Sequence, residues 1–240
     1  RIVIETGAGD GANYTDKQYA DAGAKISYNT EEAFKCSIIL KVAPPTDEEI
    51  GYLNPQAILI SSLQLKTQTK QYFEGLAKKR ITAIAFDYIK DEEGAYPIVK
   101  SLSEIAGTAS VLIAGELMSG VNKGNGLLFG NIGGVPPTSV VILGAGTVGE
   151  FAARTAIGLG ARVKVFDNSI TKLRRLQQCL NAPIYTSTIQ PKSLAKALMR
   201  CDVAIGAIRG KNRSPIIATE SMIEKMKEGA VIVDVSIDRG

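Results

Sequence analysis

The chain has 240 residues, 45% hydrophobic and 22% charged, which is ordinary for a folded protein and enough for one large or two small domains. A net charge of +4 from 28 basic and 24 acidic residues is too small and too dispersed to imply a nucleic-acid partner. Histidine is absent, which removes the commonest general acid/base and the commonest metal ligand, and Cys36, Cys179 and Cys201 form no C-x-x-C pair, so neither a metal site nor a disulfide framework is expected. No apolar run is read as approaching the roughly 20 residues of a spanning helix, and the segment is expected to be cytoplasmic and not inserted in a membrane.

In chain order, the first hundred residues alternate short apolar strands with helical patterns. Strands are expected at Ile2 to Ile4, Lys25 to Tyr28, Ser37 to Lys41, Ala57 to Ile60 and Ile81 to Phe86, with helices near Thr15 to Ala22, Thr30 to Phe34, Asp47 to Tyr52 and Thr67 to Lys79. Thr15 with Gln18 and Thr46 with Glu49 have capping-box spacing. From Ser103 to about Gly120 the pattern is helical, ahead of a Gly/Asn stretch at Asn122 to Gly126, and is read as a long linking helix. Gly133-Gly134-Val135-Pro136-Pro137 breaks the chain. Strands then follow at Val140 to Leu143, Val163 to Phe166, Pro183 to Tyr185, Val203 to Ile205 and Val231 to Val235, with helices starting near Thr147, Ser169, Pro191 and Thr219. This rhythm implies an α/β fold of two doubly wound, Rossmann-like domains with parallel sheets, joined by a long helix. The expected divisions are 1–102, an N-terminally incomplete substrate domain; 103–126, the linking helix and loop; and 127–240, a nucleotide-binding domain.

The most specific local pattern follows the strand at Val140. Gly144, Gly146 and Gly149 have G-x-G-x-x-G spacing and lead, through Thr147 and Val148, into a helix. The first glycine permits a tight turn, the second lets the backbone approach a pyrophosphate, and the third lets the helix pack closely on the strand. The helix N-terminus offers unpaired N–H groups to phosphate. The next strand ends in Asp167, 18 residues after Gly149, where a carboxylate accepts hydrogen bonds from an adenosine ribose and repels a 2′-phosphate. NAD is therefore expected over NADP.

With these motifs in place, the chain resembles the alanine dehydrogenase and nicotinamide nucleotide transhydrogenase alpha-subunit family, most closely its alanine dehydrogenase branch. The residues that carry the resemblance are Glu5-Thr6-Gly7-Ala8-Gly9-Asp10, Leu40-Lys41-Val42-Ala43-Pro44-Pro45, Ile81-Thr82-Ala83-Ile84-Ala85, Ser103-Glu104-Ile105-Ala106-Gly107, Gly133 through Gly149, and Val233-Asp234-Val235-Ser236-Ile237-Asp238-Arg239-Gly240. Family proteins begin earlier and continue further, so an internal portion of a longer polypeptide is expected.

The resemblance implies NAD-linked oxidation of L-alanine to pyruvate and ammonia, with hydride passing between the substrate Cα and the nicotinamide. It matches Lys41 to a substrate-binding lysine, Asp238 to an active-site aspartate that relays protons, Ser103 to a serine contacting the cofactor, Lys172 to a basic position beside the adenosine ribose, and Ile208 to an apolar side chain against the cofactor. It also implies an amino-acid or 2-oxo-acid ligand and a homo-oligomer, often a hexamer. One position departs from the pattern. Gln64 stands where alanine dehydrogenases carry a histidine that hydrogen-bonds the substrate carbonyl, and a glutamine amide can donate a hydrogen bond but cannot exchange a proton near neutral pH. Three readings therefore stay open: an amino-acid dehydrogenase, a transhydrogenase-like NAD(H)-binding component, and an NAD-binding regulatory protein whose catalysis has lapsed.

Overall fold

A computed structural model describes residues 1–65, 67–208 and 215–237. The chain divides into two compact units, Arg1–Ile98 and Val99–Gly240. In order along unit 1 come β1 (Val3–Glu5), α1 (Asp16–Asp21), β2 (Lys25–Ser27), α2 (Thr30–Phe34), β3 (Ile38–Lys41), α3 (Asp47–Tyr52), β4 (Ile58–Ser61), α4 (Lys70–Lys78) and β5 (Thr82–Ala85). A long helix, α5 (Pro97–Met118), spans the division, and unit 2 continues with β6 (Ser139–Leu143), α6 (Thr147–Gly158), β7 (Arg162–Phe166), α7 (Ile170–Cys179), β8 (Tyr185–Ser187), α8 (Pro191–Leu198), β9 (Val203–Gly206), α9 (Glu220–Ile223) and β10 (Val231–Asp234).

The strands of unit 2 form one parallel sheet in the order β8-β7-β6-β9-β10. The chain winds outward from β6 in both directions, the doubly wound plan, and the topological switch lies between β6 and β9. Val140, Val141 and Ile142 on β6 are fully buried, as a central strand covered on both faces requires. β8 begins at Tyr185, paired with Lys164. The expected start at Pro183 lies two residues before the first paired residue.

Within unit 1 the five strands make two parallel sheets, β1-β2 and β3-β4-β5. Both capping boxes form: Thr15 and Gln18 start α1, and Thr46 and Glu49 start α3. Phe34, Ile39, Ile50, Leu53, Leu59, Leu63, Tyr72 and Leu76 form the unit's core.

Helix α5 differs from its sequence reading in two ways. It starts at Pro97, not Ser103, because proline is well suited to the first helical position, where no N–H partner is needed. With 22 residues it is also long and apolar enough, by length and composition alone, to cross a membrane, which corrects the expectation that no segment is. Its apolarity has another use here, since Val111, Ala114 and Met118 are buried in the core of unit 2.

Candidate functional site

The turn between β6 and α6 is shaped by its glycines. Gly144 has φ +117°, and a Cβ there would stand 2.5 Å from the Ala207 carbonyl oxygen and 3.1 Å from Ile208 Cγ1. Ile208 thus lines the same turn from the end of β9. A Cβ at Gly149 would come 1.9 Å from the Gly144 oxygen, so α6 approaches its strand more closely than any larger residue permits. Gly146 is different, because a Cβ there would meet nothing within 4 Å. The space in front of the N-terminus of α6, beside Thr147 and Val148, is open to the backbone amides, which suits a phosphate group.

Asp167 follows β7 directly. Its Oδ2 accepts a hydrogen bond from Ala145 N at 2.8 Å and its Oδ1 accepts one from Ser169 N at 2.7 Å. A carboxylate has room for about four such bonds, so each oxygen keeps acceptor capacity while the group is fixed against the glycine turn. Ser169 caps α7, its hydroxyl accepting from Lys172 N at 3.4 Å, and this places Lys172 in the helix turn just beyond Asp167.

Ser103 lies one turn and a half into α5, and its hydroxyl donates to Val99 O at 2.7 Å. It therefore lies inside the helix and not at its head. Four residues on, Gly107 packs on α6 so tightly that a Cβ would stand 2.3 Å from Val148 O. Residues four apart share a helix face, which puts Ser103 on the face of α5 that meets α6.

Glu150, in the first turn of α6, is 9% exposed and bonded on both oxygens, to Arg154 Nη2 at 3.2 Å and to Arg175 Nη2 at 3.1 Å. The two guanidiniums offset a negative charge near the N-terminus of α6 and tie α6 to α7. The sequence does not reveal this bridge, since nothing local pairs residues 25 positions apart.

In unit 1, Lys41 ends β3 and Gln64 follows β4, so both lie at the carboxyl end of the three-stranded sheet, the end at which such sheets bind ligands. Lys41 Nζ donates to both oxygens of Glu49, at 2.5 and 2.6 Å, and stands 5.8 Å from the centre of the Phe34 ring. Burial pushes the Glu49 carboxyl up, but the hydrogen bonds from Lys41 and Thr46 N together with the charge of Lys41 outweigh it and hold the carboxyl below its ordinary value. Glu49 was legible only as a cap. Gln64 is exposed with φ +47°, and its carbonyl accepts from Thr67 N and Oγ1 at 2.9 and 3.0 Å. Asp238 lies outside the described residues. Asp234, at the end of β10, accepts from Ser236 N at 2.9 Å and from Ser236 Oγ at 2.7 Å, closing a turn.

Comparison with known proteins places this geometry. The profile of the alanine dehydrogenase/PNT C-terminal domain matches residues 110–240, and that of the alanine dehydrogenase/PNT N-terminal domain matches residues 1–106. The chain belongs to the alanine dehydrogenase/PNT family. Within that family, the alanine dehydrogenase of Staphylococcus epidermidis is 33% identical over 240 residues, all of this chain and 64% of the relative. A solved L-alanine dehydrogenase superposes with a TM-score of 0.90 at 33% identity, covering 99% of this chain and 66% of that one. A transhydrogenase from Sinorhizobium meliloti superposes with a TM-score of 0.86 at 25% identity, covering 99% of this chain and 70% of that one. The chain thus spans just under two thirds of the length of these alanine dehydrogenases, and the family and its Rossmann-like fold imply nicotinamide-nucleotide binding.

Proposed function

We propose that the chain is the core of an NAD-dependent amino-acid dehydrogenase that converts L-alanine, NAD+ and water to pyruvate, ammonium, NADH and a proton. The observation that carries the nucleotide half is the Asp167 carboxylate, fixed by Ala145 N and Ser169 N beside the glycine turn, with acceptor capacity to spare for a ribose diol. NAD, when bound, supplies the hydride acceptor. The chain's own groups do the rest: the amides at Gly146, Thr147 and Val148 receive the pyrophosphate, Asp167 and Lys172 hold the adenosine ribose, Ile208 packs beside the turn, and Ser103 adds a hydroxyl from α5.

On the substrate side, Lys41 is assigned to the carboxylate or carbonyl, Gln64 to a hydrogen bond with the carbonyl oxygen, and Asp238 to the proton that water gives up. Lys41 can serve only by sharing its ammonium with Glu49. That ion pair, with Gln64 in the histidine's place, favours a second reading, an NAD(H)-binding regulatory protein without turnover. NADH formation by the full-length polypeptide across an amino-acid panel separates the two. Turnover with L-alanine supports the dehydrogenase, and NADH binding without turnover on any amino acid supports the second reading. A cytoplasmic homo-oligomer is part of the same proposal, tested by light scattering on the purified protein.

A further inference from the structure

Asp87 stands in the 3₁₀ turn Phe86–Tyr88 that directly follows β5. Ala85, the last residue of β5, is in register with Ser61, the last of β4, so Asp87 and Gln64 emerge at the same carboxyl end of the sheet, and the Asp87 turn packs against β4. Its Oδ1 is enclosed yet accepts no hydrogen bond among the described residues. An ionised carboxylate only accepts hydrogen bonds, and enclosing one of its oxygens without a donor is unfavourable. A carboxylate with one oxygen left without a donor, at the carboxyl end of a parallel sheet where such sheets bind ligands, is a functional candidate.

The chemistry of the neighbouring assignments says what the missing donor is. Of the substrate-side residues proposed in unit 1, Lys41 is a cation that donates and cannot accept and Gln64 is neutral, so neither supplies a charge complementary to the ammonium of an amino acid, and Asp238 is already assigned to the proton that water gives up. We propose that Asp87 is a substrate-binding residue that accepts hydrogen bonds from the α-ammonium of an amino acid and selects for ligands carrying that group. Asp87 takes this role only if the protein handles amino acids, as proposed above, but binding is measurable without turnover.

The test uses the full-length polypeptide, wild type and Asp87→Asn, titrated calorimetrically with L-alanine, with propionate, which lacks the amine, and with NADH. In the wild type L-alanine is expected to bind more tightly than propionate. Asp87→Asn is expected to weaken L-alanine binding about 10- to 100-fold, the worth of a charge-assisted hydrogen bond, and to leave propionate and NADH binding within about twofold. If turnover exists, KM for L-alanine rises while KM for pyruvate, which has no ammonium, does not. The ligand-free melting temperature of Asp87→Asn is expected to stay level or rise. Should that variant fold poorly, Asp87→Ser repeats the titration. Unchanged L-alanine affinity in a folded variant overturns the role of Asp87, whether or not the wild type turns over. Equal loss of L-alanine and propionate binding overturns it too, as does a wild type that binds neither. Loss of L-alanine binding in a protein that never forms NADH keeps Asp87 and sinks the dehydrogenase.

Discussion

The carboxylate of Asp167 accepts a hydrogen bond from the amide of Ala145 at 2.8 Å, joining the end of β7 to the glycine turn that follows β6. Under the proposed nucleotide assignment, ribose and phosphate recognition are thereby one mechanical unit. Replacing Asp167 with serine removes both the charge and one of its two anchoring acceptors. Discrimination against NADPH is expected to relax, with NADPH affinity rising relative to NADH. Competitive titration of the two reduced nucleotides checks it, and unchanged NADH selectivity would count against the assignment.

Two glycines of the turn are expected to fail differently. Gly149→Ala drives a methyl group into the Gly144 carbonyl, 1.9 Å away, and should cost about 2–4 kcal/mol of stability. Gly146→Ala meets no protein atom within 4 Å and should change stability by no more than about 1 kcal/mol. It should nevertheless weaken NADH binding about tenfold or more, because the methyl occupies the backbone's approach to the pyrophosphate. Denaturant melts beside fluorescence titrations separate the two behaviours.

The Lys41–Glu49 pair makes unit 1 acid-sensitive in a stated direction. The folded carboxyl lies below the ordinary 4.5, so its contribution is fully present above that value and is lost as pH falls through the lowered one. Glu49→Gln keeps a residue suited to the capping box but loses the ion pair. It is expected to cost about 1 kcal/mol near neutral pH and to flatten the fall in melting temperature between neutral pH and acid. If Lys41 also holds substrate, the same variant shifts KM.

Gln64→His tests the departure from the family's pattern. If the histidine is the one missing element, turnover is expected to rise by about 10²- to 10⁴-fold, the usual range for a general acid/base. Undetectable turnover in a variant that still binds NADH would assign the protein to the non-catalytic reading.

Tyr72 is buried, and its hydroxyl has no hydrogen-bond partner among the described residues. Burial, then the charges of Asp47 and Glu49, push its pKa up to about 12. Tyr72→Phe is expected to leave stability unchanged or raise it by up to about 1 kcal/mol. A clear loss on denaturant titration would show that the hydroxyl has a partner after all.

The sequence by itself determined the parallel α/β plan of both units, the two capping boxes and the strand, glycine turn, helix and strand that lead from β6 to Asp167. These are properties of short stretches: strand and helix period, turn chemistry and the fixed spacing of one βαβ segment, whose parts meet because they are consecutive. Helix α5 shows the limit of such reading, since Pro97 and the β-branched Ile98 and Val99 precede the pattern read from Ser103 and are in fact the start of the helix. The tertiary structure alone decided which charges meet. Glu49 lies eight residues from Lys41 and Arg175 lies 25 from Glu150, and they pair because separate elements of the same unit bring them together. Asp87 was not legible as a site residue for the same reason: its enclosure without a donor is produced by the packing of the turn after β5, and no spacing in the sequence encodes it.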